Sequence, residues 1–288
     1  VTSKRKLFEL IKENHVNGWD DPRMPTISGL RRRGYTPKSL KKFVELAGIA
    51  KRENLIDLSL LEFSVREHLN LISPRVMAVL NPVKLIIKNY PENSDEILEG
   101  EINPEKPELG NRKIPFSREL YIEREDFKEE ANRKFYRLTL GKEVRLKNAY
   151  IIKGETTIKN NDGTIKEIIC TYDPKSKSGS GSEESKRKVK GTIHWVTIKH
   201  SIDIEVNIYD RLFTVPSPDS HKEKDFKSFI NPESLKKVTG FVEPSLSSAS
   251  EGDHFQFQRL GYFILDNNIN KKLIFNKTVG LRDSWSKK

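Results

Sequence analysis

A single cysteine, Cys170, stands among 288 residues. One thiol closes no disulfide within the chain and builds no cysteine-based zinc cluster, and it fits a reducing, intracellular setting. Long apolar runs are missing too. No segment approaches the ~20 residues that a membrane-spanning helix needs, so no membrane partner is expected. The first residues are rich in Lys and Arg but carry no apolar stretch of the signal-peptide kind. Nothing repeats at a fixed period, and no Ser-His-Asp or Cys-His set can be assembled. Acidic charge is in deficit: 41 Asp and Glu face 52 Lys and Arg, a formal net charge of +11. Such a balance favours polyanions, nucleic acid first among them. The alternative is that the extra lysines serve solubility alone. Hydrophobic residues make up 35% of the chain, enough for a core. At roughly 150 residues per domain, the length suggests about two domains.

Residues 1–72 read as helical. Leu7, Phe8 and Ile11 suggest a first helix behind Ser3-Lys4-Arg5-Lys6. Thr36-Pro37 is a helix cap followed by proline at the first helical position. Leu40, Phe43, Val44 and Ala47 then recur on one face, and Gly48 supplies the stop. Ser59 and Glu62 have capping-box spacing before Leu61, Val65 and Leu69. From Pro74 the texture changes to short β-branched runs: Val79-Leu80, Val83–Ile87, Tyr121-Ile122, Val144–Leu146, Ala149–Ile152, Ile168–Cys170, Thr192–Val196 and Ile202–Val206. Turn signals such as Asn161-Asp162-Gly163 separate them, a pattern of barrels or sandwiches. Two stretches read as poorly ordered. Residues 91–110 are rich in Glu and Pro, and Pro174–Lys190 is a Ser-, Gly- and Lys-rich run, either a solvated hairpin tip or a basic loop that touches RNA. His194-Trp195 sits inside an alternating pattern and is expected in the core.

Candidate binding chemistry begins with Gly29-Leu30-Arg31-Arg32-Arg33-Gly34-Tyr35. Three arginines between glycines make a compact positive patch, and the planar guanidinium fork suits phosphate oxygens. The alternative is that some of them pair with Asp20, Asp21 and Glu53 to brace the helices. Asp20-Asp21 lacks the further ligands of a metal site, and no metal residues are assigned.

The run Gly18-Trp19-Asp20-Asp21-Pro22-Arg23-Met24-Pro25-Thr26-Ile27-Ser28-Gly29-Leu30, continuing through Arg31–Pro37, follows Ser3-Lys4-Arg5. This arrangement closely resembles the end of the catalytic half of a class I aminoacyl-tRNA synthetase of the glutaminyl type, where VMSKR is the local form of the KMSKS loop. Thr2 stands where that pattern has Met. The resemblance continues through Leu140–Tyr150, Gly191–Val196, Tyr209–Phe213, Asn231–Leu235, Phe255–Phe263 and Asn276–Asp283, and so covers essentially the whole chain. It implies that Ser3 and Lys4 belong to the loop that stabilises charge on the ATP phosphates. It also implies that the chain begins where a catalytic domain is nearly finished. The HIGH signature and nucleotide-binding fold are not among these residues, so the site is incomplete and the fragment is expected to be inactive alone.

By the same resemblance, two β-barrels bind a tRNA anticodon loop, whose bases are splayed and read on their Watson–Crick edges. Arg75, Gln256 and Arg259 match contacts to the central anticodon base, a uracil. Arg137 matches the reader of the third base, and Arg145 with Lys147 the region of the first. Lys147 replaces a common arginine and loses its bidentate fork. Tyr136 and Lys134 also depart from the family pattern. Arg31, Arg32 and Arg33 would lie along the tRNA backbone.

The expected fold is mainly β with an N-terminal α-helical module and two β-barrels, akin to the ribosomal 5S-RNA-binding barrel, the second inserted in the first. The expected limits are 1–72 for the helical module, 73–122 plus 206–288 for the proximal barrel and 123–205 for the distal barrel. The expected partners are tRNA(Gln) and a missing N-terminal catalytic domain, in a cytoplasmic monomer. ATP and Mg2+ belong to the parent enzyme, and no cofactor to the fragment. Two rivals remain: the equivalent part of an archaeal or eukaryotic-type glutamyl-tRNA synthetase, and a non-enzymatic RNA-binding barrel. The run from Ser3 to Pro37 argues against the second.

Overall fold

The computed structural model of the protein describes residues 1–49, 56–221, 223–269 and 272–282. Its contacts divide the chain into two compact units. The first is Val1–Pro74, Glu205–Val238 and Ser250–Lys288; the second is Arg75–Ile204 and Thr239–Ala249.

The first unit opens with α1 (Lys4–Lys12), whose Leu7 and Leu10, one turn apart, are buried with Val16, Met24, Leu212 and Phe226. Phe8 lies on the other side, exposed. The next helix, α2 (Ile27–Arg32), is capped by Thr26, whose side chain accepts from the Gly29 amide. A methyl group on Gly29 would sit 2.5 Å from the Asp21 carbonyl, so only glycine lets α2 approach this turn. In α3 (Pro37–Ala47) the Thr36 cap, the proline and the Gly48 stop, at φ +69°, all fall where the sequence puts them. Ser39 completes the capping box.

The fourth helix, α4 (Leu58–Ile72), corrects one reading. Its cap is Asp57, which accepts from the Ser59 amide, so Ser59 lies inside the first turn. Aspartate serves as well as serine at a cap, and two residues of displacement leave the apolar face unchanged. Leu61, Val65 and Leu69 are buried with Tyr35, Tyr262 and Val279. Thr36 Oγ1 lies 2.9 Å from His68 Nδ1, which ties the start of α3 to α4.

Beyond the helices, the strand His254–Phe257 pairs antiparallel with Gly261–Ile269, which pairs antiparallel with Lys272–Val279. The sheet continues through Ile202–Tyr209 and Leu235–Val242. Phe257, Phe263 and Phe275 pack in its core, with ring centroids 4.2 and 5.2 Å from Phe257.

The second unit is built on a sheet of seven strands in the order Thr192–Ile193, Glu143–Leu146, Ile151–Lys159, Ile165–Tyr172, Pro82–Ile87, Glu119–Glu123, Val196–Thr197. Its two outermost strands are separated in the chain only by His194 and Trp195, so the sheet curls until its edges meet. Closure of this kind leaves few strand edges open. Both linking residues are buried, as their alternating context implied. The Trp195 ring meets Phe116 edge-on at 5.0 Å, and its Nε1 donates to the Lys147 carbonyl. Arg112 and Glu243 form a buried, doubly bonded ion pair at 2.8 Å, and Glu243 also accepts from the Met77 amide. A buried pair needs such additional bonds to offset its desolvation.

Two stretches read as poorly ordered prove to be built. Glu96–Glu101 is a strand paired with Asn111–Phe116, with Leu98 opposite Ile114. Leu98 and Gly100 are buried while Ile97, Glu99 and Glu101 are exposed, a period of two that the acidic composition and the outward isoleucine obscure. Pro174–Lys190 holds a 3-10 turn at Pro174–Ser176 and the one-turn α5 (Glu183–Lys186), capped by Ser182. It is no hairpin tip: the strands on either side of it pair with other strands.

The ladders of this unit join strands far apart in the chain. Pro82–Ile87 pairs parallel with Ile165–Tyr172 on one side and antiparallel with Glu119–Glu123 on the other. These ladders group residues 75–122 with 123–204. Among the described residues no helix is long and apolar enough to cross a membrane.

Candidate nucleic-acid interface

The arginine run lies at the end of α2, and its three side chains have three fates. Arg31 is exposed. Arg32 is committed: its Nε and Nη2 bond the two oxygens of Asp266 at 2.9 and 3.0 Å, and its Nη1 bonds Asp20 at 3.0 Å. The Asp266 bonds raise the arginine's pKa above its ordinary value, against the burial that lowers it. Arg33 lies over the rings of Tyr209 and Tyr35 at 5.6 and 6.0 Å. Its Nε is buried without a hydrogen-bond partner among the described residues. Lys277 is held below the ordinary lysine pKa by burial first and by the charge of Arg33 second. Two cations thus share one neighbourhood, which attracts an anion.

The brace foreseen for these arginines exists in part, through Asp20. Asp21 serves another purpose, and Glu53 lies outside the described residues. Asp21 is buried and accepts from the Asn17 and Arg23 amides and from the Arg23 guanidinium. Burial alone would raise its pKa, but these bonds hold it below the ordinary carboxylate value.

Gln256 and Arg259 lie in and just after the strand His254–Phe257. The Gln256 amide nitrogen of the backbone donates to the Pro74 carbonyl at 2.9 Å. Its side-chain Nε2 donates to the Tyr262 hydroxyl at 2.8 Å, and that hydroxyl donates to Asn70 Oδ1 at 3.1 Å. Arg259 is exposed at the tip of the turn into the next strand, at φ +68°. A left-handed backbone costs a non-glycine residue roughly 1–2 kcal/mol, so this arginine is kept at a site where glycine would be easier.

In the second unit, Arg75 is buried, and its backbone amide donates to the Ile102 carbonyl. Arg137 donates to the Glu125 carbonyl at 2.9 Å, lies 3.3 Å from Asp126, and stands over the Phe135 ring at 5.9 Å. Lys128 approaches the same ring at 5.2 Å, and Tyr136 beside it is 54% exposed. An exposed tyrosine beside a half-buried phenylalanine with two cations over it is chemistry on which an unpaired base can stack. Tyr136 lies within Arg133-Lys134-Phe135-Tyr136-Arg137, where cations flank aromatic residues, a signal that the sequence itself carries.

Arg145 turns inward on the segment that follows residue 173. Its Nη1 donates to Ser176 O at 2.9 Å and Ser178 Oγ at 3.2 Å. Its Nη2 donates to Ser185 O at 2.8 Å and Arg187 O at 3.3 Å. Burial first, then the charge of Arg187, lowers its pKa from the ordinary arginine value. Neighbouring Lys147 is exposed.

Ser3 and Lys4 stand exposed at the start of α1, and the Ser3 side chain makes no capping bond. Together they offer one hydroxyl and one ammonium. No group of three or more His, Cys, Asp or Glu residues that could hold a metal is found among the described residues. These residues do not make up a site for ATP with Mg2+, and no adenylation step is assigned to them.

Three domain models of one family cover most of the chain: tRNA synthetases class I (E and Q), catalytic domain, over residues 1–71, and two anticodon-binding domain models of the same class, over 73–173 and 192–266. The chain belongs to the class I tRNA synthetases of the E and Q group. It is 54% identical over its whole length to the glutamine–tRNA ligase of Proteus mirabilis and covers 51% of that protein. Identity is 53% to the glutamine–tRNA ligases of Rhodopirellula baltica and Vibrio vulnificus, of which it covers 48% and 51%. The chain thus spans about half the length of the curated relatives it matches. Within this family, Ser3, Lys4 and Arg31–Arg33 fall in the catalytic-domain match. Arg75, Arg137, Arg145 and Lys147 fall in one anticodon-binding match, Gln256 and Arg259 in the other.

Proposed function

We propose that this chain is the tRNA-reading part of a glutamine–tRNA ligase, with tRNA(Gln) as its partner. The observation that carries this is identity above half to glutamine–tRNA ligases along the full chain, through both anticodon-binding matches. Arg75, Gln256 and Arg259 serve the central anticodon base, a uracil; Arg137 serves the third base and Lys147 the first. Arg145 contributes by holding the 176–187 segment in place. Arg31 and Arg33 contact phosphates, with Lys277 adding charge near Arg33, while Arg32 braces α2. ATP, Mg2+ and the joining of glutamine to tRNA belong to the whole enzyme, a cytoplasmic monomer.

Binding of two anticodon stem-loop RNAs, one with uracil at the central position and one altered only there, at two salt concentrations, tests this reading. Phosphate contacts make affinity fall steeply as salt rises. The altered base costs about 1–3 kcal/mol, on the scale of single mismatches in DNA sites. Equal, salt-sensitive binding of both RNAs would reduce the chain to a basic barrel protein.

A further inference from the structure

The Gln256 side chain is the middle of a relay. Gln256 and Tyr262 are directly opposite each other in the antiparallel ladder, so their side chains share a face. Gln256 Nε2 lies 2.8 Å from the Tyr262 hydroxyl, and that hydroxyl lies 3.1 Å from Asn70 Oδ1 on α4. Tyr262 is 4% exposed, packed with Leu61, Val65 and Leu69, so its ring has one place to be.

The direction of this relay follows from the chemistry of its last member. An amide oxygen accepts and cannot donate. The tyrosine proton therefore points to Asn70, and the hydroxyl lone pairs face Gln256. A lone pair demands a donor, so the amino end of the Gln256 amide is held against Tyr262 and the oxygen is left to face a ligand.

We infer that Tyr262 and Asn70 are positioning residues that fix the orientation of the Gln256 amide and thereby set the choice of uracil over cytosine at the central anticodon position. The inference rests on the proposed reading of that base by Gln256. Uracil carries a donor at N3, and cytosine carries an acceptor there. An amide held with its oxygen outward accepts from the uracil N3–H but meets the cytosine N3 lone pair with a lone pair of its own. The two ends of an amide are nearly the same size, so an unheld glutamine turns over and offers its amino group to cytosine instead. Asn70 belongs to the catalytic-domain match and Tyr262 to an anticodon-binding match, so the lock joins two segments far apart in the chain.

The test uses two anticodon stem-loop RNAs that differ only in U or C at the central position, with affinity measured at several salt concentrations for the chain and its variants. Tyr262→Phe keeps the buried ring and removes the hydroxyl. It should lower the U-to-C affinity ratio about threefold to tenfold, the scale of one ordered hydrogen bond, chiefly by strengthening binding to the C-containing RNA. The salt slope should stay as it was. Asn70→Ala should lower the same ratio from the other end of the relay, and the double variant should lose little more than either single one, as linked residues do. Gln256→Ala separates the two levels of the argument. If it abolishes the ratio while Tyr262→Phe and Asn70→Ala preserve it, Gln256 reads the base and the lock is wrong. If Gln256→Ala also preserves the ratio, the reading of Gln256 and the lock fall together. Equal weakening of both RNAs by Tyr262→Phe would make it a packing residue only and would likewise overturn the lock.

Discussion

Two basic stretches of this chain, Arg31–Arg33 and the segment 174–190, spend their charge in opposite ways. The first reads as an open phosphate patch, yet its middle arginine is held by Asp266, a residue 234 positions away. The second reads as a loose, solvated run, yet its carbonyls are gathered by one arginine, Arg145. In the first case an acid far along the chain withdraws a cation from solvent. In the second a cation from a neighbouring strand orders a stretch that has almost no apolar residues of its own. A count of charges gives neither result, because a guanidinium has five donors and its partners are set by the fold.

The sharpest way to break this contrast is at Arg32. Arg32→Ala strands the Asp266 carboxylate, whose side chain is 9% exposed, without its bidentate partner. Hydrogen bonds to a charged group contribute about 1.5–3 kcal/mol, and urea melts should show a loss of about 2–3 kcal/mol. Arg31→Ala, on the exposed face, should stay within about 0.5 kcal/mol of the parent. Equal losses from both would mean that Arg32 is no more of a brace than its neighbour.

A smaller effect is expected at Arg145. Arg145→Met keeps the aliphatic stem and removes four bonds to the 176–187 segment. Because the segment is local and partly exposed, the loss should be about 1–2 kcal/mol and should appear first as local opening. Hydrogen exchange at the Ser176 and Ser185 amides, which bond Asp173 and Ser182, should quicken well before that of the Pro82–Ile87 ladder. Unchanged exchange there would show that the segment's own caps suffice.

Local chemistry explains why parts of this fold are legible in the sequence. Thr36-Pro37 and Gly48 act through their own side chains and dihedral angles, so they mark α3 without help from the rest of the molecule. Leu61, Val65 and Leu69 declare a buried face by spacing alone. Glu96–Glu101 carries no such signal, because one of its buried positions is Gly100 and its apolar Ile97 is exposed. A methyl group on Gly100 would sit 2.4 Å from Asn148 Nδ2, so a larger residue there would have to displace that side chain. The place of Pro82–Ile87 between strands that follow it by about thirty and eighty residues is likewise invisible to a local pattern, because pairing is a long-range choice. The candidate binding residues divide in the same way. Their types were legible from resemblance, but the commitment of Arg32 and Arg145 to bonds within the protein depends on residues the motifs do not contain.

The finest test of the contrast lies in salt dependence rather than stability. If Arg31 touches an RNA phosphate and Arg32 is a brace, the two substitutions should separate in binding as they do in melting. Each phosphate neutralised by a cation contributes roughly one unit to the slope of log affinity against log salt. Arg31→Ala should therefore flatten that slope by about one unit, equally for RNAs of any anticodon, because a phosphate contact carries no base information. The conservative Arg31→Lys, which keeps the charge and loses only the fork, should restore most of the slope. Arg32→Lys is the matching control. A lysine there can keep one bond to Asp266 but not two, so it should melt earlier than the parent while leaving the slope unchanged. An Arg31→Ala slope equal to the parent's would remove Arg31 from the phosphate contacts.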